Sequence, residues 1–121
     1  MFARKLNSCA EFMSGDGCVL RELFHPSKDG LKLRYSLAHA TVRPGARTSP
    51  HRLRTSEVYY ILEGKGVMTI DGKSGRVGPG TAVYIPPESV QFIKNSGIKP
   101  LVFLCIVDPA WRREDEEILG T

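Results

Sequence analysis

The chain of 121 residues predicts an all-β fold, an antiparallel sandwich or barrel. Three observations lead there. Short runs rich in β-branched and aromatic residues recur from residue 18 to residue 108, Gly and Pro clusters break them at short intervals, and several runs are apolar on both faces.

The elements follow in order. CVLRELF (residues 18–24) reads as a strand and HPSKDG (25–30) as a turn cluster. LKLRYSLAHATV (31–42) alternates apolar and polar residues up to Arg43-Pro44-Gly45. EVYYILEG (57–64) and GVMTID (66–71) meet at Gly64-Lys65-Gly66, which predicts a tight hairpin. DGKSGRVGPG (71–80) is turn-rich. TAVYIPP and VQFIKN flank a Pro86-Pro87 corner, and LVFLCIVD (101–108) is a fully apolar strand. In the tail, DPAWRREDEEIL (108–119), Asp108 suits an N-cap and Pro109 the first helical position, so a short amphipathic helix is expected there.

In EVYYILEG, Glu57, Tyr59 and Ile61 share one face and Val58, Tyr60 and Leu62 the other. One face lines the interior. The second apolar face needs cover that a small barrel lacks, which predicts a homodimer packed sheet on sheet.

With 41% hydrophobic and 25% charged residues, the chain has the composition of a soluble domain. No apolar run reaches the roughly 20 residues of a membrane span, and the N-terminus has no signal-peptide core. The expectation is a cytoplasmic protein without membrane contact. Cys9, Cys18 and Cys105 are odd in number and form no CxxC pair, so they read as reduced thiols. The net charge of +4 comes from dispersed basic residues. Arg43, Arg47, Arg52 and Arg54 form one denser patch, read as a solvated surface or as a mouth for anionic substrates. No basic stripe interleaved with aromatics is present, so nucleic acid is not the expected partner.

The chemistry-bearing stretch is PHRLRTSEVYYILEG (50–64). If it is extended, His51, Leu53 and Glu57 share a face while Arg52 and Arg54 point away. An imidazole and a carboxylate suit a divalent metal such as Zn, Fe, Mn or Ni, although two ligands rarely suffice.

Two motifs together resemble the cupin superfamily, specifically its small single-domain members. The first family motif is Gly, five residues, His, one, His, three or four, Glu, six, Gly; here it reads Gly45, His51, Leu53, Glu57, Gly64. The second is Gly, five, Pro, one, Gly, two, His, three, Asn; here it reads Gly80, Pro86, Glu88, Gln91, Asn95. The resemblance implies a double-stranded β-helix, or jelly-roll barrel, forming one domain over residues 1–121. It also implies a ligand set at His51, Leu53, Glu57 and Gln91, of which His51 and Glu57 keep the usual ligand and Gln91 offers a neutral amide oxygen.

Three readings of the pocket stand. His51, Glu57 and Gln91 hold a divalent metal. Alternatively, they bind a small molecule without metal, with Glu57 as general base and His51 as its partner. In the third, they satisfy one another inside a regulatory or assembly module without catalysis. Tyr59, Ile61 and Ile93 share the parity of Glu57 or Gln91 and join Leu53 and Gln91 as candidate ligand-contacting residues, with barrel core the simpler role for Ile61 and Ile93. His25 and His39 are expected to stay outside the site. Enzyme or binder, with a small-molecule ligand in either case, is left open.

Overall fold

The computed structural model describes residues 1–120. Eleven strands form two antiparallel sheets. They are β1 (Phe12–Met13), β2 (Val19–Phe24), β3 (Ser36–Val42), β4 (His51–Leu53), β5 (Ser56–Glu63), β6 (Gly66–Ile70), β7 (Lys73–Val77), β8 (Ala82–Ile85), β9 (Gln91–Asn95), β10 (Leu101–Asp108) and β11 (Glu116–Ile118). One sheet has the order β1-β2-β3-β10-β5-β8, the other β11-β4-β9-β6-β7. A single helical turn, α1 (Pro26–Asp29), follows β2 and ends at Gly30. The architecture is the predicted jelly-roll barrel. No helix is long and apolar enough to cross a membrane among the described residues.

Strand alternation sets which side chains enter the barrel. On β10, Leu101, Phe103, Cys105 and Val107 are buried, and on β5, Glu57, Tyr59 and Ile61 are. Their register pairs Phe103 with Ile61, Cys105 with Tyr59 and Val107 with Glu57. Ile61, Phe103, Leu101, Ile93 and Met68 pack one end solid. Glu57 and Val107 stand at the other end, where the packing gives way to a cavity.

Several connections differ from the sequence reading. Gly64-Lys65-Gly66 makes no hairpin: β5 and β6 lie in different sheets, and Gly64 is a corner between them. Its φ is +86°, and a Cβ there would sit 2.5 Å from the Pro100 carbonyl oxygen. The tight hairpin is instead β6–β7, turned by Asp71 (φ 49°) and Gly72 (φ 80°), the Asp-Gly pair that a two-residue hairpin prefers. The turn-rich segment thus holds a strand. Leu31–Tyr35 lies outside β3, which begins at Ser36.

The C-terminal helix is absent. Asp108 ends β10 and its carboxylate accepts from Arg34 Nε at 2.8 Å, so it caps nothing. A single turn at Arg113–Asp115 leads into β11, which pairs with β4 along Glu116–Leu53, Glu117–Arg52 and Ile118–His51. A short segment has weak helix stability in water, whereas β4 offers an open edge that needs partners.

Candidate active site

The cavity measures about 210 Å³. It is larger than the roughly 150 Å³ that accommodates benzene. Its wall draws on both sheets, on the β1–β2 turn and on the tail. His51 and Leu53 come from β4, Glu57 and Tyr59 from β5, Cys105 and Val107 from β10, Asp16 and Cys18 from the turn region, and Trp111 and Glu116 from the tail. His51 and Glu57 therefore do not share one strand's face, as an extended segment would have it. They project from facing sheets, because the chain bends at Arg54-Thr55.

Glu57, Gln91 and Tyr59 form a buried chain. Tyr59 OH donates to Gln91 Oε1 at 3.1 Å, and Gln91 Nε2 donates to Glu57 Oε1 at 2.8 Å. Both ends of the Gln91 amide are committed. Gln91 is fully buried at 0% exposure and lies behind the cavity wall, held beside His51 by β4–β9 pairing. The Glu57 carboxyl makes no further hydrogen bond among the described residues, which leaves Oε2 to the cavity. Burial drives Glu57 up from its ordinary 4.5 to about 8; the Asp16 and Glu116 charges add to the rise and the Gln91 bond opposes it. Burial also raises Tyr59 well above its ordinary range, with the Glu57 charge adding.

His51 Nδ1 lies 2.8 Å from the Ser49 carbonyl, which can only accept, so the proton sits on Nδ1. Nε2 then faces Asp16 Oδ2 at 3.4 Å. Asp16 was not legible in advance: SGDG reads only as a turn. The turn folds over the barrel mouth, with Ser14 Oγ donating to Asp16 Oδ1 and Ser49 N bonding the Asp16 carbonyl at 2.6 Å. Cys18 joins this group through Ser14 Oγ at 3.2 Å, and burial pushes its thiol up. Glu116 was likewise hidden, because a helix was expected where β11 forms. Its carboxyl is raised by burial and by Asp16, against the pull of His51 and of a Trp111 hydrogen bond.

The remaining candidates separate. Tyr59 and Leu53 are on the cavity wall, while Ile93 and Ile61 are core at 0% exposure. His25 caps α1, accepting from Ser27 N through Nδ1 at 3.2 Å, while Nε2 lies 2.8 Å from the Trp111 carbonyl. His39 is on β3 with parity opposite to the inward Ala38 and Ala40. None of Arg43, Arg47, Arg52 and Arg54 lines the cavity; Arg52 pairs with Glu117 and Arg47 covers the Phe92 ring. The basic patch is not a mouth.

Two antiparallel sheets closed around an interior pocket define a small β-barrel. The family model described as Cupin domain matches residues 38–107, and the chain belongs to the cupin family. An uncharacterized protein of Methanocaldococcus jannaschii is 44% identical over 110 residues, covering 89% of this chain and 86% of that protein. Glucose-6-phosphate isomerase of Thermococcus kodakarensis is 30% identical over 101 residues, covering 79% of this chain and 49% of the isomerase. The chain thus matches only about half the length of that enzyme. Among solved structures, the nucleoside dehydratase Pac13 of Streptomyces superposes with a TM-score of 0.79 at 17% identity, covering 99% of this chain and 92% of that one. Relatives in this family include enzymes.

The donor set does not fit a metal as the family motifs would hold one. Leu53 occupies one ligand position with an alkyl group. Gln91 spends its oxygen on Tyr59, and no three His, Cys, Asp or Glu side chains converge on a metal-sized site among the described residues.

Proposed function

We propose that this protein is a small-molecule enzyme that moves a proton inside its barrel, with Glu57 as the acid–base group and no metal in the step. One observation carries the reading: a carboxyl group, held at one oxygen by Gln91, turns its other oxygen into an enclosed, largely apolar cavity. Such a group is kept protonated near neutral pH and can donate through Oε2, then take a proton back. Gln91 and Tyr59 are positioning residues, because they reach Glu57 only through hydrogen bonds. His51 turns Nε2 toward Asp16 at the cavity wall. Isomerase and dehydratase are names of reactions that relocate hydrogen, and their occurrence among relatives supports the same class of step here at the level of the fold.

The test begins with a thermal-shift screen of small metabolites. Each ligand found is then incubated with protein in deuterated water and followed by NMR for product or deuterium uptake. Glu57→Gln should still bind and should lose at least about a hundredfold in rate. Full activity in Glu57→Gln would sink the assignment. So would activity lost to a chelator and restored by Zn, Fe, Mn or Ni, which would return His51, Glu57 and Gln91 to the role of metal ligands.

The outer face of the six-stranded sheet supports pairing with a second copy. Tyr60, Leu62 and Tyr84 are exposed there, and β8 is an open edge. Three free thiols support a reducing, cytoplasmic setting.

A further inference from the structure

We infer that the ligand of this pocket is a small organic cation, its charged head held between Asp16 and Glu116 and its carbon skeleton lying on the apolar wall toward Glu57. The inference rests on the pocket reading above and adds the class of molecule.

The balance of charge on the wall carries it. Four carboxyl groups line the cavity, those of Asp16, Glu22, Glu57 and Glu116. The only basic side chains there are Lys28 and His51. Lys28 is spent, its ammonium 2.9 Å from Glu22 Oε1. His51 turns one nitrogen to Asp16 and the other to the Ser49 carbonyl. Asp16 and Glu116 thus face one imidazole between them, in a chain whose overall charge is +4. A phosphate or carboxylate ligand would meet like charge and no arginine.

Two further features point to a ligand. Glu57 is only 7% exposed, lines the cavity, and has one oxygen with no hydrogen-bond partner among the described residues. Gly15 makes room for the Glu116 carboxylate, since a Cβ on it would lie 3.1 Å from Glu116 Oε1. That glycine lets the β1–β2 turn and β11 bring two acids to the same mouth.

Size decides which cation. These groups do not converge closely enough to chelate a bare metal ion. They ring a space of about 210 Å³, enough for roughly six to twelve non-hydrogen atoms. A substituted ammonium spreads its charge over such a radius, and the Trp111 indole on the same wall is the kind of surface that accepts one. Leu20, Ala38, Leu53 and Val107 supply the apolar contact.

The experiment uses two series of matched probes on the full chain, read by calorimetry and thermal shift. One series is choline, its uncharged carbon isostere dimethylbutanol, and dimethylbutanoate. The other is butylammonium, butanol and butanoate. The cation of at least one series should bind tenfold or more tightly than its neutral and anionic partners. Asp16→Asn and Glu116→Gln, both close in shape to the wild type, should each cost about tenfold in cation affinity and leave the neutral probe unchanged. Equal binding of neutral and cationic probes overturns the inference while the pocket reading survives. Preference for the anion, or a cation preference intact in both variants, overturns it too. Binding by none of the probes overturns the cation assignment, and Glu57 is then judged by its own deuterium-exchange assay.

Discussion

Glu57 shows how one residue's surroundings convert a common side chain into a reactive one. A surface glutamate would be ionised at neutral pH. Here burial moves the carboxyl to about 8 from its ordinary 4.5. The native state therefore holds a proton that the unfolded chain releases between those values. Its contribution to stability is fully present below about pH 4.5 and is lost as pH rises toward 8. Glu57→Gln keeps the shape and the bond from Gln91 but cannot ionise. Urea midpoints of wild type and variant should agree near pH 4.5, and above pH 8 the variant should be the more stable by on the order of a few kcal/mol. A constant gap across that range would show that Glu57 does not titrate within it. The identity of Glu57 and His51 as pocket residues was legible in their motif spacing. Their partners Asp16 and Glu116 were not, because no local pattern says which distant acid will be folded over a given barrel mouth.

At the scale of elements, the most informative glycine is Gly64. The motif marks it, and the sequence reading makes it part of a hairpin. In the fold it carries the chain from one sheet to the other with φ +86°, its hydrogen side pressed against Pro100 and Leu101 backbone. Gly64→Ala meets both a disfavoured φ and a backbone contact that cannot yield, and should cost about 2–4 kcal/mol in chemical denaturation. An effect no larger than that of an exposed substitution, about 0.5 kcal/mol, would refute the close approach. The same rule of two-residue turns that failed at Gly64 holds at Asp71-Gly72. The difference is that β6 alternates against β7 along five consecutive pairs, whereas β5 finds its partners in β8 and β10. The tail teaches the same lesson. Cap residues and an amphipathic pattern favoured a helix locally, yet the unpaired edge of β4 drew Glu116–Ile118 into a strand. That strand brings Glu116 to the pocket.

For the whole molecule, the two faces of the six-stranded sheet have different fates. The inner face builds core and cavity. The outer face leaves Tyr60 at 44% and Tyr84 at 63% exposure on neighbouring strands, Tyr84 opposite Val58 and Tyr60 opposite Ala82. If a second copy covers this surface, Tyr84→Lys should shift the protein from dimer to monomer in sedimentation velocity, with the circular dichroism of the barrel unchanged. A wild-type protein that sediments as a monomer at high micromolar concentration removes the dimer. By itself the sequence determined the strand-rich class, the inward parity of Glu57, Tyr59 and Ile61 on β5, the family, and the altered ligand positions Leu53 and Gln91. Each of these depends on alternation or on fixed spacing along a few residues, which the chain carries locally. The tertiary structure alone decided that Gln91 lies behind the wall as a clamp, that β5 and β6 part at Gly64, and that Asp16 and Glu116 ring the cavity. These depend on which distant backbones pair, and a carboxyl 41 residues before Glu57 or 59 after it becomes a neighbour only once the sheets have closed.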